Sequence, residues 1–295
     1  MPAAKPLTFS ERLARFKKKQ LVKRHKQPNF ILIIMANTHD GKIAKACEKD
    51  ARSVRKVFKN ISRHVGFEFC EITISGKDYN GKNLDKAVES IETPSAEICV
   101  FYYSGHGFSY DKDGHTKYPQ IDLRAHDDKT RYNDMDYINN HTLNLSSMLL
   151  HLRLSGSRIN IVIGDCCSSN VTHKRTKESH TEMAIVKDLT PPVVKSITKR
   201  IFNSENHTVS ILVSSSQHTE YAISDPKIGS IFTHFLTHTL ADTLSQEAED
   251  ESYLPWHQLL EKTAAKTHRL SKTYDIGGGK PGNQQAIFEI LVEKE

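Results

Sequence analysis

Short, uninterrupted apolar runs alternate along this chain with amphipathic stretches, and that alternation constrains the fold more than any other feature. Phe30–Met35, Glu97–Tyr103, Arg158–Ile163 and Thr208–Ser214 each have an apolar centre rich in β-branched or aromatic residues. Each is too short for a helix of ordinary length, and its apolar centre too continuous to leave one face in water. A strand hidden on both sides needs cover on both sides, which is the situation of a parallel strand in an α/β sheet. Phe67–Ile74 and Ala286–Val292 add two more strand candidates. Between them, Lys45–His64, Leu84–Ile91, His141–Leu154, Ile231–Leu244 and Leu254–Leu270 read as helices. In the first of these, Ala46, Ala51, Val54, Val57 and Phe58 share one face at helical spacing. The expectation is an α/β fold: a mostly parallel six-stranded sheet with helices on both faces. Ser104–Asn140 and Asn170–His207 break the rhythm. The first reads as a small hairpin with active-site loops, the second as a long basic loop of the kind that carries function.

With 295 residues, 37% of them hydrophobic, one large domain over residues 29–295 is expected, preceded by a basic arm over residues 1–28. That arm holds nine Lys/Arg and one acid, so its charge of +8 exceeds the whole chain's +6 and leaves the remainder at 6 − 8 = −2. The basicity therefore belongs to one segment, and no nucleic-acid partner is expected. Residues 8–26 read as a helix laid on the domain surface or solvated, with contact to an anionic membrane as the less favoured reading. The longest apolar run, Phe30–Ala36, falls far short of the roughly 20 residues that span a bilayer. No leader pattern opens the chain. Five cysteines, two of them adjacent, suit free thiols and a reducing compartment, so a cytoplasmic location is expected.

Two of the strands end abruptly in chemistry. Cys99–Gly107 runs from strand into Ser-Gly-His-Gly, and Ile159–Asn170 runs into Asp-Cys-Cys. Ligands of a parallel sheet bind beyond the carboxyl ends of its strands, so His106 and Cys167 would meet there. A free thiol is little ionised at neutral pH, whereas an imidazole can take its proton and later return one to a leaving amine. Small residues at these turns let the backbone N–H groups of Gly107 and Cys167 face a developing oxyanion. Neither a loop histidine nor a small buried cysteine means much alone; the pair, in this order and at strand ends, does.

These segments resemble the signatures of the caspase and metacaspase superfamily, in which a Ser-Gly-His-Gly loop and an Asp-x-Cys loop carry the catalytic dyad. CEKDA at Cys47–Ala51, SSSQHTEYA at Ser214–Ala222 and GSIFTHFL at Gly229–Leu236 are similar to further family stretches, so the likeness covers roughly residues 29–294. The resemblance implies a caspase-like sheet and a cysteine endopeptidase acting on protein substrates, with His106 as general base and acid, Cys167 as nucleophile and Cys166 as a bystander. It also implies, as in metacaspases, cleavage after Arg or Lys, with Cys47, Asp50, Ser104 and Asp165 at the positions of the specificity pocket. Without that likeness Asp50 reads as an exposed helix carboxylate and Asp165 as a loop cap. Caspases that cut after Asp use arginines instead, and none stands between Asn37 and Asp50.

One departure is Ser168-Ser169-Asn170 where many metacaspases have His-Ser-Gly after the cysteine. Self-cleavage is an expectation for the basic loop 170–207, which offers Lys174, Arg175, Lys177, Lys199 and Arg200. No cofactor is required. Calcium, used by some metacaspases, would have Asp122, Asp127 and Asp128 to bind, though they lack EF-hand spacing and read as a polar loop. His234 and His238 lack the glutamate of a zinc-protease helix, and Gly277–Lys280 lacks a phosphate-loop frame. The rival from another class is a catalytically silent scaffold that works by binding proteins; such a scaffold needs neither His106 nor Cys167.

Overall fold

The computed structural model describes residues 29–91, 96–109, 117–128, 140–168, 207–225, 227–245 and 256–294. The basic arm at 1–28 and nearly all of the 170–207 loop lie outside these residues. Strands β1 (Asn29–Ala36), β2 (Glu68–Ser75), β3 (Ala96–Ser104), β7 (Ile159–Asp165), β8 (His207–Ser214) and β11 (Ile287–Lys294) form one sheet in the order β11-β8-β7-β3-β1-β2. All neighbours run parallel except β11, which pairs antiparallel with β8. The sheet is thus the mostly parallel, six-stranded one that its apolar runs imply.

Alternation along β1 shows how both faces are used. Phe30, Leu32 and Ile34 point to one side and pack with α1 (Ala44–Val65), α4 (Ile231–Ser245) and α5 (Trp256–Ser271), through Val54, Phe58, Phe232, Leu236 and Leu260. Ile31, Ile33 and Met35 point to the other and meet α2 (Gly81–Glu89) and α3 (Leu145–Leu154), through Leu84, Met148 and Leu152. Each such side chain taken fully from water contributes about 1.5–3 kcal/mol, so the central strands anchor the fold.

The polar stretch after β3 builds a small three-stranded sheet, β4 (Gly107–Phe108), β5 (Gln120–Asp122) and β6 (Thr142–Asn144), in that order. This revises the helix expected from His141. Residues 142–144 pair with β5, and the helix begins only at Leu145, where the Asn144 side chain caps it by accepting from Ser146 N at 2.8 Å. A further short hairpin, β9 (Ser224–Asp225) with β10 (Gly229–Ser230), has no counterpart in the sequence reading.

Register matters most for function. Ala36 pairs with Ser104, and Ser104 with Asp165, so three adjacent strands end level with one another. Neighbouring strands lie about 4.8 Å apart. His106 and Cys167, each two positions past a paired residue, therefore leave the sheet side by side at its carboxyl edge.

Candidate active site

The turn that carries His106 is held by backbone and tyrosine. Gly105 N donates to Asp165 O at 3.2 Å, continuing the β3–β7 ladder past the strand ends. The buried Tyr103 hydroxyl donates to His106 O at 2.6 Å and lies 2.8 Å from the hydroxyl of Tyr79. Gly107 has no space for a side chain: a Cβ there would fall 2.6 Å from both Cys166 Sγ and Cys167 O. The histidine turn and the cysteine turn are therefore in backbone contact, which only glycine permits at this closeness.

The cysteine turn rests on the serines that follow β8. Cys166 N donates to Ser215 Oγ at 3.2 Å, and Ser216 Oγ donates to Cys166 O at 2.8 Å. Ser168 N donates to Glu220 O, and Thr219 N to Ser168 O, at 2.9 and 2.8 Å. Cys167 leaves this rack half-buried, 3.9 Å from Ala222 O, to which its thiol donates. Of the other thiols, Cys47, Cys99 and Cys166 are buried. Burial pushes Cys99 up to about 12 and Cys166 and Cys47 well above their ordinary range, so these sulfurs stay protonated. Cys70, on strand β2, is also raised by desolvation.

A cavity of about 40 Å³ joins these parts: His106, Cys167, Cys47, Asp50, Ser104 and Asp165 line it, together with Ala222, Ser224 and Ser230. All six side chains singled out from sequence thus border one space, and Gly107 stands beside it. Asp50 is only 2% exposed, so the reading of an exposed helix carboxylate is overturned. Helix α1 turns Asp50 inward with Ala46, Cys47 and Val54. Its carboxylate accepts from Ser104 Oγ at 3.1 Å and Ser230 N at 2.9 Å. Gly229, at φ +84°, lets the chain pass over it; a Cβ would stand 2.1 Å from Asp50 Oδ1.

Asp165 closes β7 and accepts from Thr233 Oγ1. The Ser230 and Ser215 side chains stand beside the carboxylate as further donors. Burial holds both carboxyls above the usual carboxylate range, and for Asp50 the negative charge of Asp165 adds to the effect. Among the described residues no Lys, Arg or His lies within ion-pair distance of either acid. Two uncompensated buried acids beside a thiol and an imidazole favour a cationic group in that space.

The sequence reading missed Asp40, whose Oδ2 stands 2.7 Å from His106 Nε2. It also missed the tyrosine pair under the histidine turn. Elsewhere, Asp122 is 4% exposed and its two oxygens are taken up by Arg124, at 2.9 Å from Nε and 2.6 Å from Nη2. No group of three or more His, Cys, Asp or Glu able to hold a metal occurs among the described residues. The rings of His234 and His238 lie tilted to one another with centroids 4.4 Å apart, and burial lowers His234 to about 4. No described helix is long and apolar enough to cross a membrane.

Comparison with known proteins bears on the family and the fold. The family model for the caspase domain matches residues 29–284. Among solved structures, caspase-1 from Spodoptera frugiperda is similar at 12% identity with a TM-score of 0.50, over 92% of this chain and 88% of that one, a likeness of fold. No curated protein matches the chain. Matched along nearly all of its described length, the chain belongs to the caspase-domain family and is a cysteine-type endopeptidase acting on protein substrates.

Proposed function

We propose that this peptidase is of the metacaspase type and cuts after Arg or Lys. The observation that carries the reading is the pair of buried acids, Asp50 and Asp165, facing the same cavity as Cys167 and His106 without a cation of their own. A guanidinium or ammonium entering there would donate charge-assisted hydrogen bonds to both acids. Ala222, Ile223, Ser224 and Ser230 complete the wall of that space.

In the chemical step His106 takes the Cys167 proton and the sulfur attacks the scissile carbonyl carbon. The resulting oxyanion is held by the backbone N–H groups of Gly107 and Cys167. The C–N bond breaks as the imidazolium returns its proton to the amine. Water, deprotonated by the same imidazole, then hydrolyses the thioester and restores the thiol. The loop 170–207 is proposed as a substrate in its own chain, cut after its Lys and Arg residues. A cytoplasmic setting suits five cysteines that are all free. A role as a regulated switch in stress, cell death or defence is carried by family likeness alone.

The test is a panel of fluorogenic peptides ending in Arg, Lys or Asp, read with calcium and with a chelator. Hydrolysis of the Arg and Lys peptides at least ~10²-fold faster than the Asp peptide is expected, the loss of a buried charge pair being worth that much. Preference for Asp would refute the pocket assignment and leave the peptidase assignment standing.

A further inference from the structure

The loop leaving β1 brings a carboxylate to the histidine. Asp40 Oδ2 lies 2.7 Å from His106 Nε2. The carboxylate is itself fixed: its Oδ1 accepts from Lys42 N at 2.9 Å, and its backbone N donates to Asn37 Oδ1 at 3.2 Å. Asn37 N in turn donates to Ser104 O at 2.8 Å, which ties the loop to the strand that carries the histidine. His106 is thus gripped at two points, its carbonyl by Tyr103 and its ring by Asp40. The imidazole is 12% exposed and the carboxylate 32%, so the contact is shielded but not dry.

We infer that Asp40 is the positioning residue of the reacting histidine, holding its ring as the Nε2–H tautomer with Nδ1 as the nitrogen that serves Cys167. This rests on the reading of His106 and Cys167 as the reacting pair. A carboxylate accepts from an N–H, so the nitrogen that faces Asp40 carries hydrogen and the other carries the lone pair. The thiol proton then passes from Cys167 Sγ to Nδ1, and the ring becomes an imidazolium with both nitrogens protonated. Its positive charge forms 2.7 Å from a carboxylate. Nδ1–H later delivers the same proton to the departing amine. Asp40 takes no proton at any step; the bond from His106 holds its carboxyl well below the usual carboxylate range. The carboxylate acts by orienting the ring and by favouring the charged intermediate, as the third member of a hydrolase triad does.

Asp40 also closes a turn onto Lys42 N, and this gives the competing, purely structural account. Asn makes that turn equally well but carries no charge, so Asp40→Asn separates the two. The expected result is a melting temperature and KM near wild type with kcat lower by ~10–100-fold, the worth of a charge-assisted hydrogen bond. Asp40→Glu, which keeps the charge but displaces it, should recover part of that loss. In ¹⁵N NMR of imidazole-labelled protein, with His106→Gln to identify the signal, wild-type His106 should be protonated on Nε2, and Asp40→Ala should shift the ring toward Nδ1–H.

Unchanged kcat in Asp40→Asn and Asp40→Ala while Cys167→Ala is dead would overturn the inference and leave the peptidase reading intact. A wild-type ring protonated on Nδ1 would overturn it independently of any activity. A Cys167→Ala protein as active as wild type would remove the reading beneath it, and the inference with it.

Discussion

Cys167→Ala is expected to lower kcat/KM on an Arg-ending peptide by ~10⁴-fold or more, with the fold unchanged. Loss of a nucleophile costs this much when no other group can take its place, and what remains comes from the oxyanion donors and binding. The neighbouring sulfur is the obvious substitute and is disqualified by its surroundings. Cys166 is 1% exposed, lies against Gly107, and is held protonated by burial and by the proximity of Cys167 and Asp165. Cys47 borders the cavity but is itself buried, and that burial holds its thiol protonated. Peptide turnover and thermal melting of the purified variant are the measurements. Intact mass of the same two proteins reads the proposed self-cleavage: wild type clipped within 170–207 and Cys167→Ala whole.

The second large effect is a trade between stability and specificity at Asp50. Its folded-state pKa is raised by burial and by Asp165, so the protonated carboxyl is the form the empty fold prefers. That contribution to stability is fully present below the unfolded pKa, near 4, and is lost as pH rises through the higher folded value. Asp50→Asn keeps a neutral acceptor for Ser104 and Ser230 and removes the group that must ionise. The variant should melt higher than wild type at pH 8, by ~2–4 °C for each kcal/mol recovered, and the gap should close toward pH 4. Its kcat/KM for Arg and Lys peptides should fall by ~10²-fold, because the incoming cation loses a buried partner. For wild type, KM for these peptides should decrease as pH rises through the raised carboxyl values. Melting curves and peptide kinetics across pH 4–8 test both directions. A variant that melts lower than wild type at pH 8 would mean that Asp50 is a structural acceptor before it is a pocket acid.

What could be read from sequence, and what could not, follows from the range of the interactions. The central strands declare themselves because Phe30–Ala36 and Ile159–Asp165 are buried on both faces, so their apolar content is continuous in the sequence itself. His106 and Cys167 are legible for the same reason: each lies where such a run stops, and parallel register levels those stops. The pocket acids needed family likeness, since nothing local tells the buried Asp50 from the outward-facing Lys and Glu residues around it on α1. Two-residue strands such as β9 and β10 carry no periodicity to detect, and β6 was lost inside an apolar stretch that continues into α3. Asp40 is 66 positions from His106, and only the meeting of the β1 and β3 loops makes it a partner. Its one sequence signal, a polar Asn-Thr-His-Asp at the end of an apolar strand, places it at the right edge without naming what it touches.

The central claim is that one sulfur, that of Cys167, reacts at the carboxyl edge of this sheet. Incubation with an Arg-ending peptidyl acyloxymethyl ketone, followed by intact mass and peptide mapping, tests it directly. The account predicts a single thioether on Cys167, formed much faster than with the Asp-ending reagent and absent after His106→Ala. An adduct on Cys70, Cys47 or Cys166 in place of Cys167, or a rate indifferent to His106, would contradict it.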